Sequence, residues 1–182
     1  MLTALQWSIP LEKGPEAITR LQHWIMGNLD LARIPIPSTG IYVHAPIEVR
    51  VTDSSKSSNP RAWLDQSVET GPTLYLNATL YRPFLRDVPH WQRYYAAFEY
   101  LMKDLGGKPH WAKNFVTLSP TEFWEMYPKL EDWVKLRTQV DPEGVFASDW
   151  LHRNILDGPE AKRAVEEVGH GFVLVDKEGV SV

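Results

Sequence analysis

The tightest constraint on this chain is the run Gly106-Gly107-Lys108-Pro109-His110-Trp111-Ala112-Lys113. Ahead of it, residues 89–105 set Trp91, Tyr94, Tyr95, Phe98, Leu101, Met102 and Leu105 at three-and-four spacing. That is the stripe of a helix buried along one face, and such an aromatic stripe is core far more often than a cofactor contact. Two glycines supply the left-handed backbone that closes a helix, and Pro109 keeps it from restarting. The chain is thus handed from a core helix to a loop bearing a histidine, a tryptophan and a lysine. A lysine held just past a fixed stop, beside two rings, can be desolvated and aimed at a ligand. A solvated Lys113 after an ordinary helix stop is the plainer reading, and local sequence alone favours it.

Three other stretches carry the two-residue period of a half-buried strand or its remnant. Residues 5–11 alternate Leu5, Trp7, Ile9 and Leu11 with Gln6, Ser8 and Pro10. Residues 41–52 read as a second strand, on which His44, Pro46, Glu48 and Arg50 share one parity and so one face. Residues 73–81 put Leu74, Leu76, Ala78 and Leu80 on one side and Thr73, Tyr75, Asn77, Thr79 and Tyr81 on the other. The polar side of this strand, beside Glu48 and Arg50, offers a floor for a ligand. Opposite charges two apart on a strand are usually a solvated pair worth little, and on a covered face they become a hydrogen-bonding pair. Asn77-Ala78-Thr79 also matches a glycosylation sequon, which its mid-strand position discounts.

Helices fill the rest. Gly14-Pro15-Glu16 opens one, with Ile18, Leu21, Trp24 and Ile25 as its apolar face and Gly27-Asn28 as its end. Ser119-Pro120-Thr121-Glu122 is a capping box for another, and Pro128 breaks or kinks it. Asp141-Pro142-Glu143-Gly144 is a turn, after which Phe146 and Trp150 are expected to anchor the chain to the body. Residues 53–60 are a polar loop, and residues 159–168 suit a short helix. Residues 172–175 suit either an added strand or a tail ordered against a partner.

Composition removes several function classes. With no cysteine there is no disulfide, thiolate metal site or cysteine nucleophile, and the six histidines lack zinc-site spacing. A net charge of −4 without a Lys/Arg cluster argues against a nucleic-acid binder. No apolar run reaches the length of a membrane span, and no signal-peptide pattern is present. Eight tryptophans and seven tyrosines serve mainly a core, and such rings also line sugar and flavin clefts. No glycine-rich nucleotide-binding turn or P-loop occurs.

Gly-Gly-Lys-Pro-His-Trp-Ala-Lys resembles the His-Trp-x-Lys signature of the sugar-lactone (aldonolactone) oxidases, flavoenzymes of the vanillyl-alcohol-oxidase type. Pro46-Ile47-Glu48-Val49-Arg50, Tyr81-Arg82-Pro83 and Asp141-Pro142-Glu143-Gly144-Val145-Phe146 fall in that family's order. The resemblance spans roughly residues 1–156 and is strongest to the fungal arabinonolactone-oxidase branch, whose members are associated with mitochondria. It implies an α+β cap domain over residues 1–156, an antiparallel sheet flanked by helices, with residues 157–182 as a tail extension and the FAD-binding domain absent. It places Lys113 near the reactive edge of the flavin, its charge offsetting that of the reduced ring, with His110 shaping the same wall. Glu48 and Arg50 match the pair that grips substrate hydroxyls, Arg50 donating and Glu48 accepting, and Glu48 is the first choice to take the hydroxyl proton. Where relatives carry asparagine and tyrosine after the Asp-Pro turn, this chain has Ala147-Ser148-Asp149-Trp150.

The leading expectation is therefore the substrate-binding part of an FAD-dependent sugar-lactone oxidase. It would oxidise a D-arabinono-1,4-lactone-like sugar lactone, pass electrons to oxygen, and be inactive without an N-terminal FAD-binding domain or chain. No metal is expected. The alternative is a flavin-free module that binds a sugar lactone or a partner protein. An isolated cap would expose the surface it normally buries, so self-association is expected as well.

Overall fold

The computed structural model describes residues 2–54 and 61–169. The tip of the 53–60 loop and the possible strand at 172–175 lie outside the described residues. The chain forms two compact units, one up to Leu118 and one from Ser119 onward. The fold is α+β.

The first unit is built on one antiparallel sheet. Its strands are β1 (Leu2–Pro10), β2 (Glu48–Asp53), β3 (Pro72–Tyr81) and β4 (Lys108–Pro109), in the spatial order β2-β3-β1-β4. The register sets Leu5, Trp7 and Ile9 opposite Ala78, Leu76 and Leu74, and all six are buried. Parity alone dictates this: the apolar residues of both strands share a face, and that face must be covered. Helices α1 (Gly14–Ile25) and α3 (Trp91–Asp104) cover it, with the single turn α2 (Leu29–Ala32) between them in sequence. Their buried side chains, Leu21 and Trp24 from α1 and Tyr94, Tyr95, Phe98, Leu101 and Met102 from α3, complete the core. Full burial of each large apolar side chain is worth about 1.5–3 kcal/mol. Desolvation pushes the Tyr94 hydroxyl up to about 12.

The end of α3 follows the glycine logic. Gly106 takes φ +72°. Its amide donates to Lys103 O (3.0 Å), and Gly107 N donates to Met102 O (2.8 Å), the pair of bonds that closes a Schellman motif. Gly107 is required for a different reason. A Cβ there would lie 2.8 Å from Met102 O, 3.0 Å from Ser8 O and 2.9 Å from Ile9 Cγ2.

The second unit holds α4 (Pro120–Met126), α5 (Leu130–Val140), a short α6 (Asp149–Leu151) running into one π-helical turn (His152–Leu156), and α7 (Pro159–Gly169). Ser119 and Glu122 make the expected reciprocal cap on α4, and Pro128 separates α4 from α5. Phe123 and Tyr127 stack at 4.9 Å, and Trp124 Nε1 donates to Ile155 O (3.2 Å).

Three sequence expectations are corrected. The strand expected at 41–52 is confined to Glu48–Asp53, because Pro46 cannot donate to a ladder and the chain ahead of it is irregular. Ile18 and Ile25, read as part of the apolar face of α1, are not covered there and are 50% and 45% exposed. With Met26, Ile47 and Val49 they line an apolar groove of about 290 Å³ over Leu76, because α1 overhangs the edge strand β2. Phe146 does not anchor its segment and is 87% exposed.

Candidate functional site

The face of the sheet turned away from α1 and α3 is polar. One end is closed by the segment before β3: Ser8 Oγ donates to Gln66 O (2.5 Å), and Val68 N donates to Thr73 Oγ1 (3.0 Å). Further along, Glu48, Asn77 and Gln6 fall in one cross-strand row over β2, β3 and β1. Residues paired directly across antiparallel strands point to the same side, so the row is a continuous polar line. Asn77 Nδ2 donates to Glu48 Oε2 (3.0 Å), and Arg50 Nε pairs with Glu48 Oε1 at 2.9 Å. Glu48 is thereby held on both oxygens. Its pair with Arg50 is itself half-exposed, so its energetic value is small and its geometric value larger. Asn77 is 9% exposed, and its Oδ1 is buried without a partner among the described residues. Gln6 beside it is also buried.

The Gly-Gly-Lys-Pro-His-Trp-Ala-Lys run borders the same row. Lys108 and Pro109 pair with Ser8 and Trp7 as β4, so the run begins as a short strand. His110 N then donates to Gln6 O (2.8 Å), and Asn114 N to Ala4 O (3.4 Å). From Gln6 to Ala4 the strand advances two residues, while the facing chain uses four from His110 to Asn114. The surplus is folded out as a turn closed by Lys113 N donating to His110 O (2.9 Å). Inside that turn Ala112 N donates to His110 Nδ1 (3.1 Å), which leaves Nε2 as the protonated nitrogen of the neutral ring. Lys113 is half-buried, and among the described residues no acceptor pairs with its ammonium.

The electrostatics tie the four residues singled out in the sequence to one place. The Asn77 amide, ahead of the Arg50 and Lys113 charges, holds the Glu48 carboxyl below its usual range against a smaller cost of desolvation. His110 is pushed down by burial first, then by the charges of Lys113 and Arg50. Lys113 and Arg50 therefore act on both Glu48 and His110. His44, expected on the same face, instead accepts the amide hydrogen of Tyr81 at Nε2 (3.1 Å) and is exposed. The two-residue period puts Asn77 on the polar floor and discounts its sequon, but gives neither Asn77 nor Gln6 a role at Glu48. The register opposite Glu48, which parity alone does not give, identifies them. Among the described residues no group of three or more His, Asp or Glu could hold a metal ion.

Such a site, a polar row on an open sheet bordered by a fixed cationic turn, belongs to a chain whose relatives act on sugar lactones. The family described as D-arabinono-1,4-lactone oxidase matches residues 2–154, and the chain belongs to this family. A Neurospora crassa protein provisionally named a D-arabinono-1,4-lactone oxidase is 43% identical over 166 residues, 84% of this chain and 30% of the relative. The Candida albicans D-arabinono-1,4-lactone oxidase is 30% identical, covering 82% of this chain and 39% of the relative. The L-gulonolactone oxidase of Bos taurus is 31% identical, covering 81% of this chain and 29% of the relative. The chain thus spans between about three tenths and two fifths of the curated relatives it matches, in their C-terminal part.

Proposed function

We propose that this chain is the substrate-binding cap portion, residues 1–156 with a tail, of an FAD-dependent aldonolactone oxidase acting on D-arabinono-1,4-lactone or a similar sugar lactone. The observation that carries this reading is that the Glu48–Arg50 pair and the turn bearing His110 and Lys113 border one polar row, Glu48–Asn77–Gln6. Arg50 donates to substrate hydroxyls in a rigid fork, while Glu48 accepts from them. Glu48 is the first choice to accept the hydroxyl proton of the carbon being oxidised; held below its usual range it is ionised at neutral pH, a firm hydrogen-bond acceptor and a weak base. The unpaired Asn77 Oδ1 supplies a further acceptor in the same row.

The residues fit the reactive edge of a flavin and only that edge. Lys113 offers an ammonium without a partner among the described residues, and His110 offers an Nε2 donor beside it. Nothing in the sequence resembles a nucleotide-binding turn, so the remainder of FAD is assigned to a partner portion, an N-terminal domain or chain. When bound, FAD supplies the two-electron acceptor for the substrate carbon and returns the electrons to oxygen as hydrogen peroxide. Lys113 and His110 provide fixed positive charge and a hydrogen-bond donor where negative charge develops. Without that partner portion the chain is inactive.

The test is a flavin absorbance spectrum of the chain alone and after mixing with a separately produced FAD-binding portion, each challenged with D-arabinono-1,4-lactone. Lactone-dependent bleaching only on mixing, slowed in Lys113→Ala by on the order of 100-fold as for loss of one preorganised charge, supports the reading. A mixture that never bleaches where an intact relative does removes it.

A further inference from the structure

Glu99 lies on α3 with no exposed surface, and nothing in the oxidase reading uses it. Its two oxygens are spent on one short stretch of chain. Oε1 accepts from Val116 N (2.6 Å), and Oε2 accepts from Thr117 N (2.6 Å) and Thr117 Oγ1 (2.5 Å). Bonds of this length to a carboxylate are charge-assisted and strong. Lys103, one helical turn further along α3, donates to Thr117 O (3.3 Å) from its ammonium. Burial raises the Glu99 carboxyl, and Thr117 and Val116 draw it back.

The clamped stretch begins three residues after Lys113. On the near side the turn is held firmly, by His110 N to Gln6 O at 2.8 Å. On the far side the tie to the sheet is Asn114 N to Ala4 O, at 3.4 Å, close to the limit of a useful hydrogen bond. Beyond Phe115, the Glu99 carboxylate takes the chain at residues 116 and 117. We infer that Glu99 is a positioning residue whose carboxylate clamps residues 116–117, fixing the exit of the turn that holds Lys113 beside His110 and within electrostatic reach of Glu48. That the turn serves catalysis rests on the oxidase reading, whereas the clamp is a property of this chain alone.

The chemistry is specific to a carboxylate. Glutamine has the same shape but replaces one acceptor with an NH2, which then faces an amide N–H or a hydroxyl already aimed at that position. Glu99→Gln should therefore loosen the turn without emptying the core.

The His110 ring reports on it. The charges of Lys113, on its own turn, and Arg50, on β2, help hold it below its ordinary pKa. In Glu99→Gln the NMR titration midpoint of His110 is expected to move up, toward the midpoint measured in Lys113→Ala. Thr117→Val, which deletes one of the three donors, should move it the same way by less. If Glu99→Gln lowers the melting temperature but leaves the His110 midpoint in place, Glu99 is merely structural and the inference is overturned. If Glu99→Gln does not fold, an unshifted midpoint in Thr117→Val overturns it equally. In the reconstituted complex, Glu99→Gln should lower kcat on the order of 10- to 100-fold with KM little changed, as for a displaced catalytic group. Absence of turnover in the wild-type mixture would count against the oxidase reading and not the clamp, since the titration is read on the chain alone.

Discussion

At the scale of single residues, the polar row shows how an ordinary amide sets the state of a charged neighbour. Asn77 contributes the largest single influence lowering the Glu48 carboxyl, ahead of Arg50 and Lys113. The reason is geometric: a fixed donor at 3.0 Å from a strand directly alongside loses less to solvent than an exposed guanidinium does. Asn77→Ala should accordingly raise the Glu48 pKa toward its ordinary value, read from the side-chain carboxyl carbon shift across a pH titration. Arg50→Ala should raise it less. An unchanged Glu48 in Asn77→Ala would show that the two charges, and not the amide, control it. Parity made the pairing of Glu48 with Arg50 legible from two residues of sequence. The share of Asn77 was not legible, because it depends on a register between strands 29 residues apart.

At the scale of elements, what could be read in advance was whatever closes within a few residues. The Ser119–Glu122 cap, the break at Pro128 and the Gly144 turn all satisfy their own backbone groups locally, and each formed as expected. The start of β2 depended instead on Pro46, which cannot donate to a ladder, although β3 runs on to Tyr81 beyond Asn77. The stop after α3 joins the two kinds of information. Gly106 is a local requirement, a positive φ with nothing near its missing Cβ, whereas Gly107 is a long-range one, pressed against Ser8 and Ile9 of β1. Gly107→Ala should cost about 1–3 kcal/mol, the range for overpacking a closed site, since two of the three obstructing atoms are backbone oxygens. It should also disturb the Lys108–Ser8 pairing, visible as faster amide exchange along β4 and the His110 amide. A melting curve matching the wild type would mean that the backbone gives way there without cost, and that the turn carrying Lys113 is not fixed by this contact.

At the scale of the whole molecule, the exposed apolar side chains mark what a sequence pattern cannot know. Periodicity assigns Ile18 and Ile25 to a covered face, and it is right about the face, but the sheet ends at β2 before the cover is complete. Phe146 likewise follows a well-formed turn and still faces solvent. The turn itself is secured by Asp141, and this yields a test that treats the two compact units separately. Burial alone would raise the Asp141 carboxyl. Hydrogen bonds from Phe146 N (3.1 Å) and Val145 N (2.8 Å), with the Arg137 guanidinium at 2.8 Å, outweigh it and hold the group below its ordinary value. A carboxyl lowered by folding stabilises fully above its unfolded pKa, and that contribution disappears as the pH falls through the lowered value. Glu16 and Glu48 in the first unit have the same sign, whereas Glu99, raised by burial, has the opposite one and becomes less costly in acid. Asp141 is the carboxylate that bonds the turn's own amides, so the acid sensitivity of its turn should trace to this group. Amide protection at Val145 and Phe146, corrected for intrinsic exchange, should fall on acidification below the ordinary carboxylate range in the wild type. In Asp141→Asn it should be lower at neutral pH and nearly independent of pH, because an amide offers one acceptor where the carboxylate offered two. If the Asn variant keeps the wild-type acid dependence, the turn is held by contacts other than this carboxylate, and the shift in Asp141 is a consequence of the turn and not its support.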